Sequence, residues 1–277
     1  MKGFDLIDSA GFGYQAVWRE RAYLLRLALI PVIIKIACTV AVFAFGYEGN
    51  YLRQGLISLP AAFAEGWLLA QFLRTLLLLE RWPIMLTEEP SDKKLAALLL
   101  RARGIMSCTI MYALITFSAY GLKEIYAFFY ELSGADRVPE NAETSGGNPL
   151  LFIPAFLMLL ASIWVFRLLW LYIPVVVLMP VGEFLKKLGG FRASFPMIGI
   201  FLVSMIPCFM LAIILSNIVS ALLGGSGSDL GKFSIMIISV LIETLISLIT
   251  TASMVYGLRK ILPKHPAALP DLQKDKE

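Results

Sequence analysis

Charged residues, histidine and cysteine are all scarce in this sequence. Asp, Glu, Lys and Arg make up 16% of its 277 residues, whereas about 25% is usual for soluble domains. The single histidine, His265, lies in a proline-flanked stretch, and the three cysteines, Cys38, Cys108 and Cys208, are far apart within apolar runs. No metal-ligand spacing, redox pair or Ser and His arrangement results. We therefore expect no enzyme activity, no metal site and no cofactor.

Apolar residues dominate instead. They make up 58% of the chain, and the mean hydropathy is +0.78, which is typical of a polytopic membrane protein. The first apolar run carries Lys35 at its centre and lacks a small-residue cleavage site, so we expect no cleaved secretory signal. The net charge of +4 is spread over separate segments, and we expect no nucleic-acid partner.

Six apolar runs are long enough to cross a hydrocarbon core of roughly 30 Å. They predict an all-α polytopic membrane protein with six transmembrane helices in three hairpins, joined by short interfacial amphipathic helices. Residues 1–265 then form one membrane domain, and residues 266–277 form a flexible cytoplasmic tail. We expect the fourth run to bend along the inner surface after its span. The predicted spans are about 23–45, 56–79, 104–128, 150–172, 197–223 and 233–256.

Each predicted hairpin repeats one pattern: a basic segment, a span, a turn, a returning span, and then an arginine followed by a proline. The basic segments are AVWRERAYLL, KKLAALLLRARGIM and KKLGGFRASFPM. An internal duplication would produce this pattern. The ordinary alternation of basic inner ends in any six-span bundle would produce it too.

The distribution of lysine and arginine predicts the orientation. Of 24 such residues, 17 fall on one side of the predicted spans and three lie inside them. The other side holds Arg53, Lys123, Arg137 and Lys232. Because basic loops stay in the cytoplasm, both termini are predicted to be cytoplasmic, in a bacterial inner membrane. The basic segments fix topology in this interpretation, and they could also contact anionic lipid.

One segment carries a resemblance to a known family. In RLLWLYIPVVVLMPVGEFLKKLGGFRASF, Arg167 to Phe195, a returning span ends in an apolar run with prolines, and an interfacial basic segment introduces the next span. This resembles the multi-span membrane domain that precedes some bacterial glycerophosphodiester phosphodiesterases, and its stand-alone six-span relatives. The likeness covers most of the chain in outline. It implies an architecture and not the phosphodiesterase activity, since these 277 residues include no such soluble domain.

Three ionisable residues are predicted to share one level of the bilayer. Lys35, Glu65 and Glu243 each lie nine or ten residues from the outer end of a predicted span, which is roughly 14 to 15 Å deep. Charges at that depth require partners. One interpretation is a proton or cation relay, or a polar cavity of a transporter. The other is a structural Lys35 and Glu65 pair that holds the first hairpin in register.

A second polar group is predicted near the inner interface. Gln71 and Arg74 lie about one turn apart on the second span, and Arg167 lies near the inner end of the fourth. Arginines at this depth can reach lipid phosphates and anchor a helix. Alternatively, Gln71, Arg74 and Arg167 form a lipid-headgroup site between the two spans.

These observations lead to two functional hypotheses. The first is a non-catalytic accessory or scaffold subunit, or a lipid-organising protein, whose partners are membrane lipids, including anionic ones, and another membrane protein. The second is a small transporter or ion-coupled carrier that uses Lys35, Glu65 and Glu243. A dry, fully paired cluster would favour the first hypothesis, whereas a wet cavity around the cluster would favour the second.

The orientation can be tested by labelling. In a variant without the native cysteines, Ser145→Cys should react with a membrane-impermeant maleimide in intact spheroplasts, because its loop is predicted to be extracytoplasmic. The control Lys94→Cys should react only after permeabilisation. Labelling of the Ser145→Cys loop from the cytoplasmic side alone would contradict the predicted topology.

Overall fold

A computed structural model describes residues 5–82, 92–132, 149–223 and 228–262, and these are almost entirely helical. Six stretches are long and apolar enough to cross a membrane. This confirms the predicted all-α fold with six spans. The predicted 266–277 tail and most of the long polar loop lie outside the described residues. The helices are α1 (Leu6–Arg19), α2 (Arg21–Ala44), α3 (Tyr51–Ile57), α4 (Leu59–Leu78), α5 (Asp92–Leu132), α6 (Pro149–Phe166), α7 (Tyr172–Val176), α8 (Val181–Leu188), α9 (Ser194–Leu223) and α10 (Asp229–Gly257).

Helix α4 lies at the centre of the bundle. Within the most apolar 18-residue stretch of α4, 78% is buried, compared with 11% for the corresponding stretch of α2 and 17% for that of α9. It packs against α2, α5, α7 and α10, and Leu68, Leu69 and Phe72 are fully buried. Helix α4 is the least apolar of the six spans and carries Glu65, Gln71 and Arg74, and polar or ionisable residues within a span face the bundle interior rather than lipid. Polar groups on α4 must therefore find their partners within the protein.

The predicted second span, 56–79, is divided in the structure. Helix α3 ends at Ile57, and α4 begins at Leu59. The physical reason is Pro60, which has no N–H to continue the helical hydrogen bonds and is best accommodated in a first turn. The N–H of Ala62 then resumes the pattern by donating to the Ser58 carbonyl at 2.9 Å. The span is therefore shorter than predicted and has a separate helix at its outer end.

Helix α1 packs along the hairpin formed by α9 and α10. The Phe12 ring stacks on Tyr256 with centroids 4.9 Å apart. The Tyr14 hydroxyl donates to the Ser204 carbonyl at 2.7 Å. Gly13 makes the close approach possible, because a Cβ there would lie 2.6 Å from the Ile249 carbonyl oxygen. This N-terminal helix therefore has a packed protein face.

The end of the fourth span differs from the prediction. After α6 the chain forms a short 3-10 turn, Arg167–Trp170, and then α7. The sequence predicted that this part would follow the inner surface, but Ile173 and Val176 are fully buried. Leu178 adopts a positive φ of 58°, and the Met179 N–H donates to the Pro174 carbonyl at 3.0 Å. This closure ends α7 inside the core, and only the following amphipathic α8 carries the basic residues.

The α1 packing predicts the effect of two glycine substitutions. Gly13→Ala should lower the melting temperature, because its methyl group would meet backbone of α10, and overpacking costs about 1–3 kcal/mol. Gly11→Ala should leave it unchanged or raise it slightly, since a Cβ at Gly11 meets nothing within 4 Å and alanine favours helix by about 1 kcal/mol. Thermal unfolding in detergent would measure both. Equal melting temperatures would contradict the described α1 position.

Candidate functional site

The structure brings Lys35, Glu65 and Glu243 together. The Lys35 ammonium on α2 lies 3.1 Å from Glu65 Oε2 on α4 and 3.2 Å from Glu243 Oε2 on α10. We call these three residues the charged triad. One ammonium therefore lies between two carboxylates from different helices, and all three helices belong to the predicted spans.

Local packing places the two most buried members. Helices α2 and α4 pack against each other, and α10 contacts both. On the other side of α4, Gly66 allows α5 to approach, because a Cβ there would lie 3.1 Å from the Thr109 carbonyl oxygen. The small residue beside Glu65 thus lets α4 pack tightly on α5. The Glu65 carboxylate lies on the face of α4 that packs against α2 and α10.

The triad is not fully paired. The side chains of Lys35 and Glu65 are 17% and 9% exposed, whereas that of Glu243 is 63% exposed. Glu65 Oε1 is buried and has no hydrogen-bond partner among the described residues. When all three groups are ionised, the triad carries one net negative charge. A buried carboxylate oxygen without a partner is costly, so the site retains a capacity to bind a positive group or a hydrogen-bond donor.

A cavity of about 850 Å³ lies against the triad. Its lining includes Glu48 in the turn after α2, and Lys123 on the half of α5 predicted to be outer. It also includes all three triad residues. Sites for small molecules usually have volumes of about 300–1,000 Å³. The triad therefore borders an open space of ligand size, and this is the arrangement that favours the transporter hypothesis over the structural pair.

Aromatic rings line the cavity beyond the triad. They are Tyr112, Trp170, Tyr172 and Phe201, which we call the aromatic floor. The Tyr112 and Tyr172 rings pack edge to face with centroids 5.3 Å apart, and Trp170 and Phe201 do so at 6.1 Å. Tyr112 lines the cavity together with Glu65, so the floor is continuous with the triad. Trp170 was not predicted as a site residue, because nothing in its spacing indicates a cavity.

The second predicted group, Gln71, Arg74 and Arg167, is not gathered at one site. Arg74 Nη2 donates to Glu80 Oε2 at 2.7 Å, and Nη1 donates to the Val176 carbonyl at 3.1 Å. Gln71 is almost fully buried. The Arg167 guanidinium lies 4.6 Å from the Trp164 ring centroid and donates to the Gly189 carbonyl. No hydrogen bond among the described residues joins the three.

The end of α4 explains the position of Arg74. Leu79 takes a left-handed conformation with φ of 56°, and this returns Glu80 to the Arg74 side chain. Arg101 on α5 also contacts Glu80, at 3.3 Å. Glu20, between α1 and α2, pairs with Arg81 at 2.8 Å. We call these five residues the inner ion-pair network. It was not predicted, because Glu20 and Arg101 are far from Glu80 and Arg81 in sequence and meet them only through the turn after α4.

The described part of the chain provides no alternative site comparable to the charged triad. No group of three or more His, Cys, Asp and Glu residues there could hold a metal ion. A smaller pocket of about 360 Å³ is lined by apolar residues together with Tyr14, Trp18 and Cys208. The charged triad and its cavity are therefore the strongest candidate site.

The six apolar helices and the buried central span define a polytopic membrane protein. No protein-family model, curated protein or solved structure matches the chain.

The triad geometry predicts strong energetic coupling between Lys35 and Glu65. Lys35→Met should destabilise the protein by about 3 kcal/mol, because it leaves a buried carboxylate without its cation. Glu65→Gln should relieve part of this loss in the double variant, giving a coupling energy of about 1–3 kcal/mol in a double-mutant cycle. Unfolding titrations in mixed micelles would measure the four variants.

An exposed pair supplies the control for this cycle. Lys187 and Glu183 lie 2.7 Å apart on α8, and both side chains are 50% exposed. The cycle of Lys187→Met and Glu183→Gln should give only about 0.3–0.5 kcal/mol. Equal coupling in the two cycles would contradict a buried Lys35 and Glu65 pair.

Proposed function

We propose that this protein is a small transporter or ion-coupled carrier whose solute occupies the cavity at the charged triad. The observation that carries this proposal is that Lys35, Glu65 and Glu243 border a cavity of about 850 Å³. Ionisable residues within membrane spans commonly line the pathways of ions and solutes. The role is non-catalytic in this proposal.

The third charge supports transport over a purely structural role. A structural pair that joins α2 to α4 needs only Lys35 and Glu65, and it does not require the charge of Glu243. The Glu243 side chain is largely exposed, although its Oε2 contacts Lys35 at 3.2 Å. A carrier, by contrast, needs a charged group that a solute can reach and that can exchange partners. Glu243 meets both requirements, and Glu65 supplies the fixed, buried part of the site.

The accessory or lipid-organising hypothesis ranks second. It is favoured by the exposed apolar faces of α2 and α9, of which only 11% and 17% are buried. Bilayer lipid would cover these faces as well as a partner protein would. Arg74 was predicted to contact lipid headgroups. In the structure it donates hydrogen bonds to Glu80 and to the Val176 carbonyl. The cavity therefore favours the carrier function over the accessory one.

The location and the family remain part of the proposal. The bias of lysine and arginine supports a bacterial inner membrane with both termini in the cytoplasm. The Arg167 to Phe195 segment supports kinship with the six-span membrane domains of glycerophosphodiester phosphodiesterases. Neither supports a particular substrate.

The carrier proposal predicts a solute current. Proteoliposomes on a solid-supported membrane would be tested with protons, Na⁺, K⁺, small amines and chloride. We expect a protein-dependent transient current with at least one of the cationic solutes, reduced at least tenfold in Glu65→Gln, because that change removes the buried charge of the triad. Glu183→Gln, which removes an exposed carboxylate on α8, should keep the current.

A second measurement tests the accessory-subunit hypothesis if no current is found. The protein would be purified in nanodiscs directly from its native membrane, and bound proteins and lipids would be identified by mass spectrometry. Absence of current for every solute, together with a stoichiometric membrane-protein partner, would contradict the carrier proposal. It would favour an accessory subunit.

A further inference from the structure

The chemistry of the cavity points to a class of solute. Resting on the proposed function, we infer that the cavity binds an organic ammonium ion, with its N–H groups at Glu65 and Glu243 and its apolar part on the aromatic floor. Three features of the site carry this inference: an unpartnered buried acceptor, a net negative charge and a wall of aromatic rings.

The acceptor is Glu65 Oε1. The side chain of Glu65 is 9% exposed, yet this oxygen has no hydrogen-bond partner among the described residues, although its neighbour Oε2 binds Lys35 at 3.1 Å. A carboxylate oxygen is an acceptor only. A group that hydrogen-bonds to this oxygen must therefore be a donor, and a charged N–H donor forms the strongest such bond.

Charge selects between the possible donors. Lys35 neutralises one of the two carboxylates, so one negative charge is left over when all three groups are ionised. A monovalent cation would bring the site to neutrality, which matters at a depth where net charge is costly. Glu243, with its side chain 63% exposed, provides a second carboxylate that the cation can reach.

The aromatic floor adds selectivity for an organic cation over a metal ion. Ring faces carry partial negative charge and attract an ammonium within about 6 Å. They also provide an apolar surface for the rest of the molecule. Tyr112 lines the cavity together with Glu65 and packs edge to face against Tyr172. A ligand bound to the carboxylates would therefore extend over the floor toward Trp170 and Phe201.

Anionic ligands fit the site less well. The cationic group at this level, Lys35, already binds both carboxylates. An anion would have to displace one of them and approach the other. The second lysine of the cavity, Lys123, is accompanied by Glu48 in the lining. Carboxylates thus outnumber lysines in the lining by three to two.

The test compares three molecules of similar shape with purified protein in nanodiscs. They are 2-phenylethylammonium, the neutral 2-phenylethanol and the anion phenylacetate. Isothermal titration calorimetry should show the ammonium binding at least tenfold more tightly than either of the others. Equal binding of the ammonium and the alcohol, or tighter binding of phenylacetate, would overturn the inference.

Variants locate the bound ammonium. Glu65→Gln should weaken its binding at least tenfold, and Glu243→Gln should do so even if Glu65→Gln folds poorly, since the Glu243 side chain is exposed. Phe201→Leu keeps apolar bulk but removes a ring, and should weaken binding roughly three- to tenfold. Glu183→Gln on α8 should have no effect. Loss of binding in Glu48→Gln, with retention in Glu243→Gln, would place the ligand at the outer end and overturn the assignment.

The binding measurement and the current measurement together distinguish this inference from the proposed function. If 2-phenylethylammonium binds as expected but no solute produces a current, the ligand class stands and the carrier function fails. If a current sensitive to Glu65→Gln is seen with another solute and the ammonium does not bind, the carrier function stands and the ligand class fails.

Discussion

The rest of the structure depends on Glu65, a carboxylate on the most buried span. An ionised group at this depth is tolerated only when other spans supply partners. Helix α2 supplies Lys35, and α10 supplies the additional carboxylate of Glu243. The central position of α4, the neighbours it packs against and the place of the cavity all follow from meeting this one requirement. These partners offset the cost of burying the Glu65 carboxylate only in part, because its Oε1 has no hydrogen-bond partner among the described residues.

The two ends of the bundle satisfy their charges differently. At the end predicted to be inner, the inner ion-pair network ties the turn after α4 to α5 and to the junction of α1 and α2. Gly104 lets α7 approach α5 closely, because a Cβ there would lie 2.6 Å from the Val176 carbonyl oxygen. Toward the other end, residues of α2, α4, α5 and α10 line the cavity. Close packing and charge pairing thus hold one end of the bundle together, and the proposed solute would enter from the other end.

Sequence alone predicts the parts of this molecule that depend on composition and length. The six spans follow from apolar runs, and the level shared by Lys35, Glu65 and Glu243 follows from the rise per residue of a helix. The break at Ser58 was missed because the apolar run continues through it. The buried α7 and the aromatic floor were missed because both depend on which helices are neighbours. Arg74 was assigned to lipid because its partner, Glu80, is reached only through the left-handed Leu79.

The charged triad allows the structural and the functional interpretation to be separated on energetic grounds. A pair that exists only to hold two helices together does not require a third charge, and apolar residues of similar volume would often serve stability equally well. Here the extra charge is exposed to a cavity, and one buried oxygen lacks a partner. The unpartnered oxygen costs stability in the empty protein. In the proposed function this cost would fall when a cationic donor binds, and the same oxygen would then supply affinity for the solute.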